Sequence, residues 1–240
     1  MSSNRWVSFC AHDSLLRSIF HFFPSALGVT VPYPSECRIS LFGDGFGMRQ
    51  VVLQGARLNQ PDGVRLEDAF PSLLESAPSL LGIEITITSP HPRLNLSAST
   101  CFIELVKSGL STKFRAFPVP AKDEVVSNFR AAPILKDAFC SSSLVVVNGT
   151  AERYTPKFIF TDKSAMDAKA LDFEELLPYT AHEKSLLGCV DPHEIPQECS
   201  WGLFRGGSLI CEDPFPPGIG CFLLYREGKT GRPVSVCQMV

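Results

Sequence analysis

The sequence holds no block of like charge. Its 240 residues include 22 Lys and Arg against 25 Asp and Glu, a net charge of −3, and the basic side chains are scattered along the chain. A protein that grips a phosphate backbone concentrates cations on one face, so nucleic acid is disfavoured as a partner. No apolar stretch has the length of a membrane-spanning helix. Between Arg5 and Pro24 the apolar residues are interrupted by His12, Asp13, Arg17 and His21, which leaves no uninterrupted core for a secretory signal. The expected location is therefore the cytoplasm, and no membrane span is expected.

Familiar catalytic motifs are missing as well. No serine sits in a Gly-x-Ser-x-Gly elbow, and Gly206-Gly207-Ser208 lacks the residues that would complete one. Gly43-Asp44-Gly45-Phe46-Gly47 is rich in glycine but is followed by the strand-like Met48 to Leu53 and has no Walker lysine. A phosphate loop needs a helix at that point, so a hairpin turn is the better reading.

Cysteine is plentiful. Cys10, Cys37, Cys101, Cys140, Cys189, Cys199, Cys211, Cys221 and Cys237 make an odd number, and they fall mainly on apolar runs. A secreted disulfide framework is usually even in number and loop-based. Reduced, buried thiols that act as small hydrophobes are expected instead. Asn95-Leu96-Ser97 and Asn148-Gly149-Thr150 match the glycosylation sequon, and without a signal they read as a loop and a turn.

Strand signals dominate. Cys37 to Leu41 alternates apolar and polar residues, and with Met48 to Leu53 it reads as a hairpin. Ile83-Glu84-Ile85-Thr86-Ile87-Thr88 has strict period two, isoleucines to one side. Thr100 to Val106 and Lys113 to Val119 flank a Ser/Gly turn, and Gly220 to Tyr225 and Pro233 to Cys237 flank Gly228 to Gly231. Ser143 to Val147 is an apolar run ending in Asn148-Gly149, a turn signal that pairs it with Lys157 to Phe160. Helix evidence is limited to Leu15 to Phe23, stopped by Pro24, and single turns near Leu66 and Leu171. The pattern predicts an all-β protein with little helix.

The two halves echo one another. Leu66-Glu67-Asp68-Ala69-Phe70-Pro71 resembles Phe173-Glu174-Glu175-Leu176-Leu177-Pro178; Gly82-Ile83 resembles Gly202-Leu203; Cys101-Phe102-Ile103 resembles Cys221-Phe222-Leu223. One short insertion between Pro178 and Gly202 keeps the matches in order, as an internal duplication requires. Pro118, Pro120 and Lys122-Asp123-Glu124 look like a linker. Two tandem β-sandwich units are expected, residues 1–120 and 121–240.

Ser142-Ser143-Leu144-Val145-Val146-Val147-Asn148-Gly149-Thr150, then Phe158-Ile159-Phe160-Thr161-Asp162 and Leu177-Pro178-Tyr179-Thr180, resemble small bacterial β-sandwich proteins of the sensory rhodopsin transducer type. The resemblance implies a cytosolic, oligomeric sandwich that binds partners or ligands without catalysis. It carries no residue-level role.

Three sets of residues compete for function. His182, Cys189, His193 and Cys199 cluster in sequence and offer the N and S donors zinc takes in a tetrahedron. Their spacing lacks a close ligand pair, and a cysteine-containing loop is the plainer reading. Cys189 or Cys199 beside His182 or His193 is also the pairing a thiolate nucleophile needs. Trp201, Arg205 and Tyr179 offer the flat aromatic and polar surface of a carbohydrate site, although core packing is the commoner use of such a Trp. The adjacent acids Glu67-Asp68 and Glu174-Glu175 point apart on an extended chain and read as structural. A non-enzymatic, self-associating binding or scaffold module leads, with no obligatory cofactor. A zinc or Cys/His-dependent enzyme and a carbohydrate-binding module are the alternatives.

Overall fold

A computed structural model describes residues 2–13, 15–23, 35–58, 60–71, 77–90, 100–119, 131–135, 140–161, 168–186, 205–211, 213 and 215–239. Nearly all of the regular structure is β. The first half contributes β1 (Ser2–Ala11), β2 (Leu16–Phe23), β3 (Glu36–Gly43), β4 (Gly47–Gln54), β5 (Val64–Arg65), β6 (Leu80–Ser89), β7 (Thr100–Lys107), β8 (Leu110–Arg115) and β9 (Phe117–Val119). Two single helical turns, α1 (Gly55–Leu58) and α2 (Leu66–Ala69), flank β5. The second half contributes β10 (Ala131–Leu135), β11 (Cys140–Asn148), β12 (Phe158–Thr161), β13 (Ala168–Leu171), β14 (Thr180–Ser185), β15 (Arg205–Cys211), β16 (Ile219–Glu227) and β17 (Pro233–Gln238).

These strands form four antiparallel sheets. Sheet A runs β4-β3-β6-β1-β9 and sheet B β5-β2-β7-β8; sheet C runs β10-β15-β12-β13 and sheet D β14-β11-β16-β17. The strand order of one half maps onto the other. Shifting β1 to β8 along to β10 to β17 turns sheet A, less β9, into sheet C and sheet B into sheet D. Cys101-Phe102-Ile103 and Cys221-Phe222-Leu223 fall on corresponding strands, β7 and β16. There Cys101 stands opposite Phe22 and Cys221 opposite Val146. The pair Leu66–Pro71 and Phe173–Pro178 does not correspond. The first follows β5, whereas the second precedes β14, the counterpart of β5.

The alternating runs behave as their pattern dictates. Along β6, Leu81, Ile83, Ile85 and Ile87 are buried between sheets A and B, while Glu84, Thr86 and Thr88 on the other face are only partly covered. Trp6 and Ile39 lie in register with Ile85 from either side, forming one layer of that core. Ser108 and Gly109, both at positive φ, make the tight turn from β7 to β8. Two such residues in succession give the twist a two-residue hairpin needs.

Two segments depart from their sequence reading. Leu15 to Phe23 does not form a helix: residues 16–23 are strand β2, paired along its length with β7. Leu16, Ser18, Phe20 and Phe22 point inward, while Arg17, Ile19, His21 and Phe23 alternate on the other face. Ile19 and Phe23, added to the inward residues, produce the spacing that imitates a helix. Asn148-Gly149 is not a hairpin turn either. β11 belongs to sheet D and β12 to sheet C, so the chain crosses between sheets there.

The central strands of sheet D, β11 and β16, are buried on both faces, which explains their unbroken apolar runs. Leu144, Val146, Cys221, Leu223 and Tyr225 join Phe158, Phe160 and Leu209 in the core of the second unit. The alternate residues Val145, Val147, Ala181, Phe222 and Leu224 join the core of the first. Phe222 is ringed by Phe9, Phe114 and Phe117, with centroids 5.2, 5.8 and 6.2 Å away. Gly82 makes room for this junction. A Cβ there would stand 2.1 Å from the Phe42 ring, which in turn meets Tyr179 edge-on at 5.9 Å.

Candidate functional site

Between the first half and the second, an open cleft of about 290 Å³ is lined by Asp44, Pro78, Ser79, Leu80, Glu174, Ala181, His182 and Glu183. The β3–β4 turn and the start of β6 supply one wall, and β14 with the segment before it supplies the other. His182 lies on β14 opposite Val146, and its Nδ1 is 2.6 Å from Glu174 Oε1. Glu183, the next residue, points the other way. It accepts a two-pronged contact from Arg226, Nε at 3.1 Å and Nη2 at 3.0 Å. Glu175 turns from Glu174 to receive Arg153 at 2.7 Å. The adjacent acids thus serve separate structural pairs.

Of the sequence candidates, the structure places two side chains, His182 and Tyr179, near this cleft. Tyr179 sits at a φ of 55°, a strained position for a bulky residue, held by its N–H donating to Thr150 O and by the Phe42 contact. Arg205 opens β15 opposite Leu135. Cys189, His193, Cys199 and Trp201 lie outside the described residues. Among the described residues no three His, Cys, Asp or Glu side chains converge as metal ligands.

Asn148, a polar residue at the end of β11, is fully buried. Its Nδ2 donates to the carbonyls of Glu152 and Leu177 at 2.7 and 3.0 Å, with Leu176 O at 3.4 Å. Its Oδ1 accepts from Thr150 N and Oγ1 at 3.0 and 2.7 Å. The sequon amide is therefore consumed in pinning the crossover. Gly149 continues it, donating to Gly218 O at 2.9 Å with Val7 close enough to touch any added Cβ.

A second polar group lies on the outer face of sheet B. His21, almost fully buried, places Nε2 2.7 Å from Glu104 Oε2, and Lys113 Nζ stands 3.5 Å from the same oxygen. Burial pushes the Glu104 carboxyl up, but hydrogen bonds from Ser111 and His21 and the Lys113 charge outweigh it and leave its pKa below the usual value. Asp13 is brought down to about 2, chiefly by the Leu15 N–H and also by Lys107.

Of the described cysteines, Cys10, Cys37 and Cys101 are buried in the first core. Burial pushes Cys10 up to about 12 and also raises Cys37 and Cys101 well above the ordinary thiol value. A thiol must lose its proton to act as a nucleophile, so these are packing residues at neutral pH. The cleft residues Asp44, Ser79, Glu183 and the Arg226 that holds Glu183 are absent from the sequence candidates. They come from distant strands, and only register brings them together.

No known protein family, curated protein or solved structure matches the chain.

Proposed function

We propose that the protein is a non-enzymatic scaffold or binding module, built from two copies of one β-sandwich unit and acting through its surfaces. The observation that carries this reading is the shared sheet D, whose two faces serve two cores. A sheet placed in this way makes the tandem units one stiff body that holds outer faces and edges at fixed separations, which is what a scaffold needs. The titratable groups near the cleft support the same reading, because His182, Glu174, Glu175 and Glu183 have structural partners. The corresponding strand orders favour duplication as the origin of the two units.

The module is expected to self-associate and to work in the cytoplasm. No helix among the described residues is long and apolar enough to cross a membrane.

A thermal-shift panel tests the proposal, run against sugars, nucleotides and divalent metals, with a chelator and a protein-concentration series. Anything that binds only the native state raises the midpoint, self-association included. The scaffold reading expects a midpoint that rises with protein concentration and ignores the chelator. A fall with chelator, abolished by Cys189→Ala with Cys199→Ala, would replace it with the zinc reading. A sugar response lost in Trp201→Ala would replace it with the carbohydrate reading.

A further inference from the structure

A β-sheet edge offers a row of backbone N–H and C=O groups to any extended chain, and proteins guard such edges by brevity, proline, lysine or cover. Among the described residues the four sheets have eight edges, and seven are guarded in one of these ways. β5 is two residues long, and β9 is three residues long with Pro118 at its centre. β10 carries Pro133, and β13 is four residues long with Lys169 within it. β8 and β17 run beside each other at the junction, and β14 rests against β3 and β6.

The eighth edge is β4. It has eight residues, Gly47-Met48-Arg49-Gln50-Val51-Val52-Leu53-Gln54, without proline or lysine. Met48 and Val52 are 44% and 48% exposed. Its one charged residue, Arg49, lies 4.6 Å over the Phe46 ring. Full pairing with β3 on one side leaves alternate backbone groups directed outward on the other.

We propose that β4 is the self-association edge, pairing antiparallel with β4 of a second copy across a two-fold axis. This inference rests on the scaffold reading and names its interface. The strand's own sequence favours a copy of itself as occupant. A two-fold centred on Val51 sets Gln50 against the partner's Val52 and Arg49 against the partner's Leu53, so no charge meets its like. Sheet A then continues into its copy as one ten-stranded sheet.

The test is the mass of the full chain in solution across a concentration series, for wild type and for Gln50→Lys with Val52→Lys. Both substituted residues are exposed, and in the two-fold pairing the double variant sets cation opposite cation. Wild type is expected to double in mass as concentration rises, and the variant to remain monomeric with the wild-type circular dichroism. Hydrogen exchange of wild-type β4 amides, compared between dilute and concentrated samples, decides the matter even if the variant folds poorly. Slowing confined to β4 supports the interface. A wild-type monomer throughout, or a dimer with unchanged β4 exchange, overturns it. A dimer that protects another segment would leave the scaffold reading intact. Protection of β4 only when an unrelated extended peptide is added would point to a different occupant and also overturn the proposal.

Discussion

Phe222, on the second unit, meets Phe9, on the first, edge-on at 5.2 Å, and neither ring is exposed to solvent. The core of the first half is thereby completed by a residue of the second. Truncating a buried Phe to Ala costs about 3–5 kcal/mol in transfer and cavity terms. Phe222→Ala is therefore expected to lower the stability of both units, read as a shift of the whole urea transition. A loss confined to the second unit, appearing as a split transition, would mean the shared core does not couple them.

Gly82→Ala tests the same junction from the other side. The new methyl collides with the Phe42 ring, and overpacking of this kind costs about 1–3 kcal/mol. The expected result is a lower denaturation midpoint with altered Tyr179 fluorescence, since Phe42 is the aromatic neighbour of Tyr179. An unchanged midpoint would show that the ring moves freely.

Asn148 is expected to stay unmodified when the protein passes through a glycosylating host, because both ends of its amide are engaged inside the fold. Asn148→Ala should cost about 2 kcal/mol or more, since buried carbonyls lose their donor. Peptide mapping and urea denaturation check the two halves of this prediction.

Much of the architecture is legible in the chain. Period two in β6, glycine turns after β3 and β16, and the Ser-Gly turn after β7 all mark strands that form. β2 misleads because Ile19 and Phe23 place apolar residues among Arg17 and His21 on its outer face, blurring the alternation. Asn148-Gly149 misleads because the same dipeptide that closes a hairpin also ends a strand before a crossover. The cleft is not legible at all. Asp44, Glu174 and Glu183 share no spacing, and only tertiary register makes them neighbours.

Stability should fall at acid pH in a defined way. A carboxyl whose folded pKa is depressed contributes stability above its unfolded value, and that contribution is lost as pH falls through the folded one. For Asp13 the loss runs from the ordinary value of 3.8 down to about 2. Glu104 acts in the same direction from its own lowered value. Asp13→Asn is expected to lower the midpoint above the acid limb, where ionised Asp13 contributes stability, and to flatten the limb itself. An unchanged limb would remove Asp13 from the account.

Thiol labelling of the native protein should spare Cys10, Cys37, Cys101, Cys211 and Cys221, which are buried. Among the described cysteines, the half-buried Cys140 and Cys237 should react first. Site-resolved mass spectrometry after timed alkylation gives the order directly. Early modification of Cys10 or Cys37 would show that the first core opens far more readily than its packing indicates.

Native-state hydrogen exchange on strands β1, β6, β11 and β16 tests the shared core most directly. The amides of Val145, Val147, Phe222 and Leu224 are predicted to exchange only through the opening that also releases Val7, Phe9 and Ile85, with one free energy and one denaturant slope. Release of β11 and β16 through a cheaper opening, with β1 and β6 still protected, would contradict the account and leave two independent sandwiches in place of one scaffold.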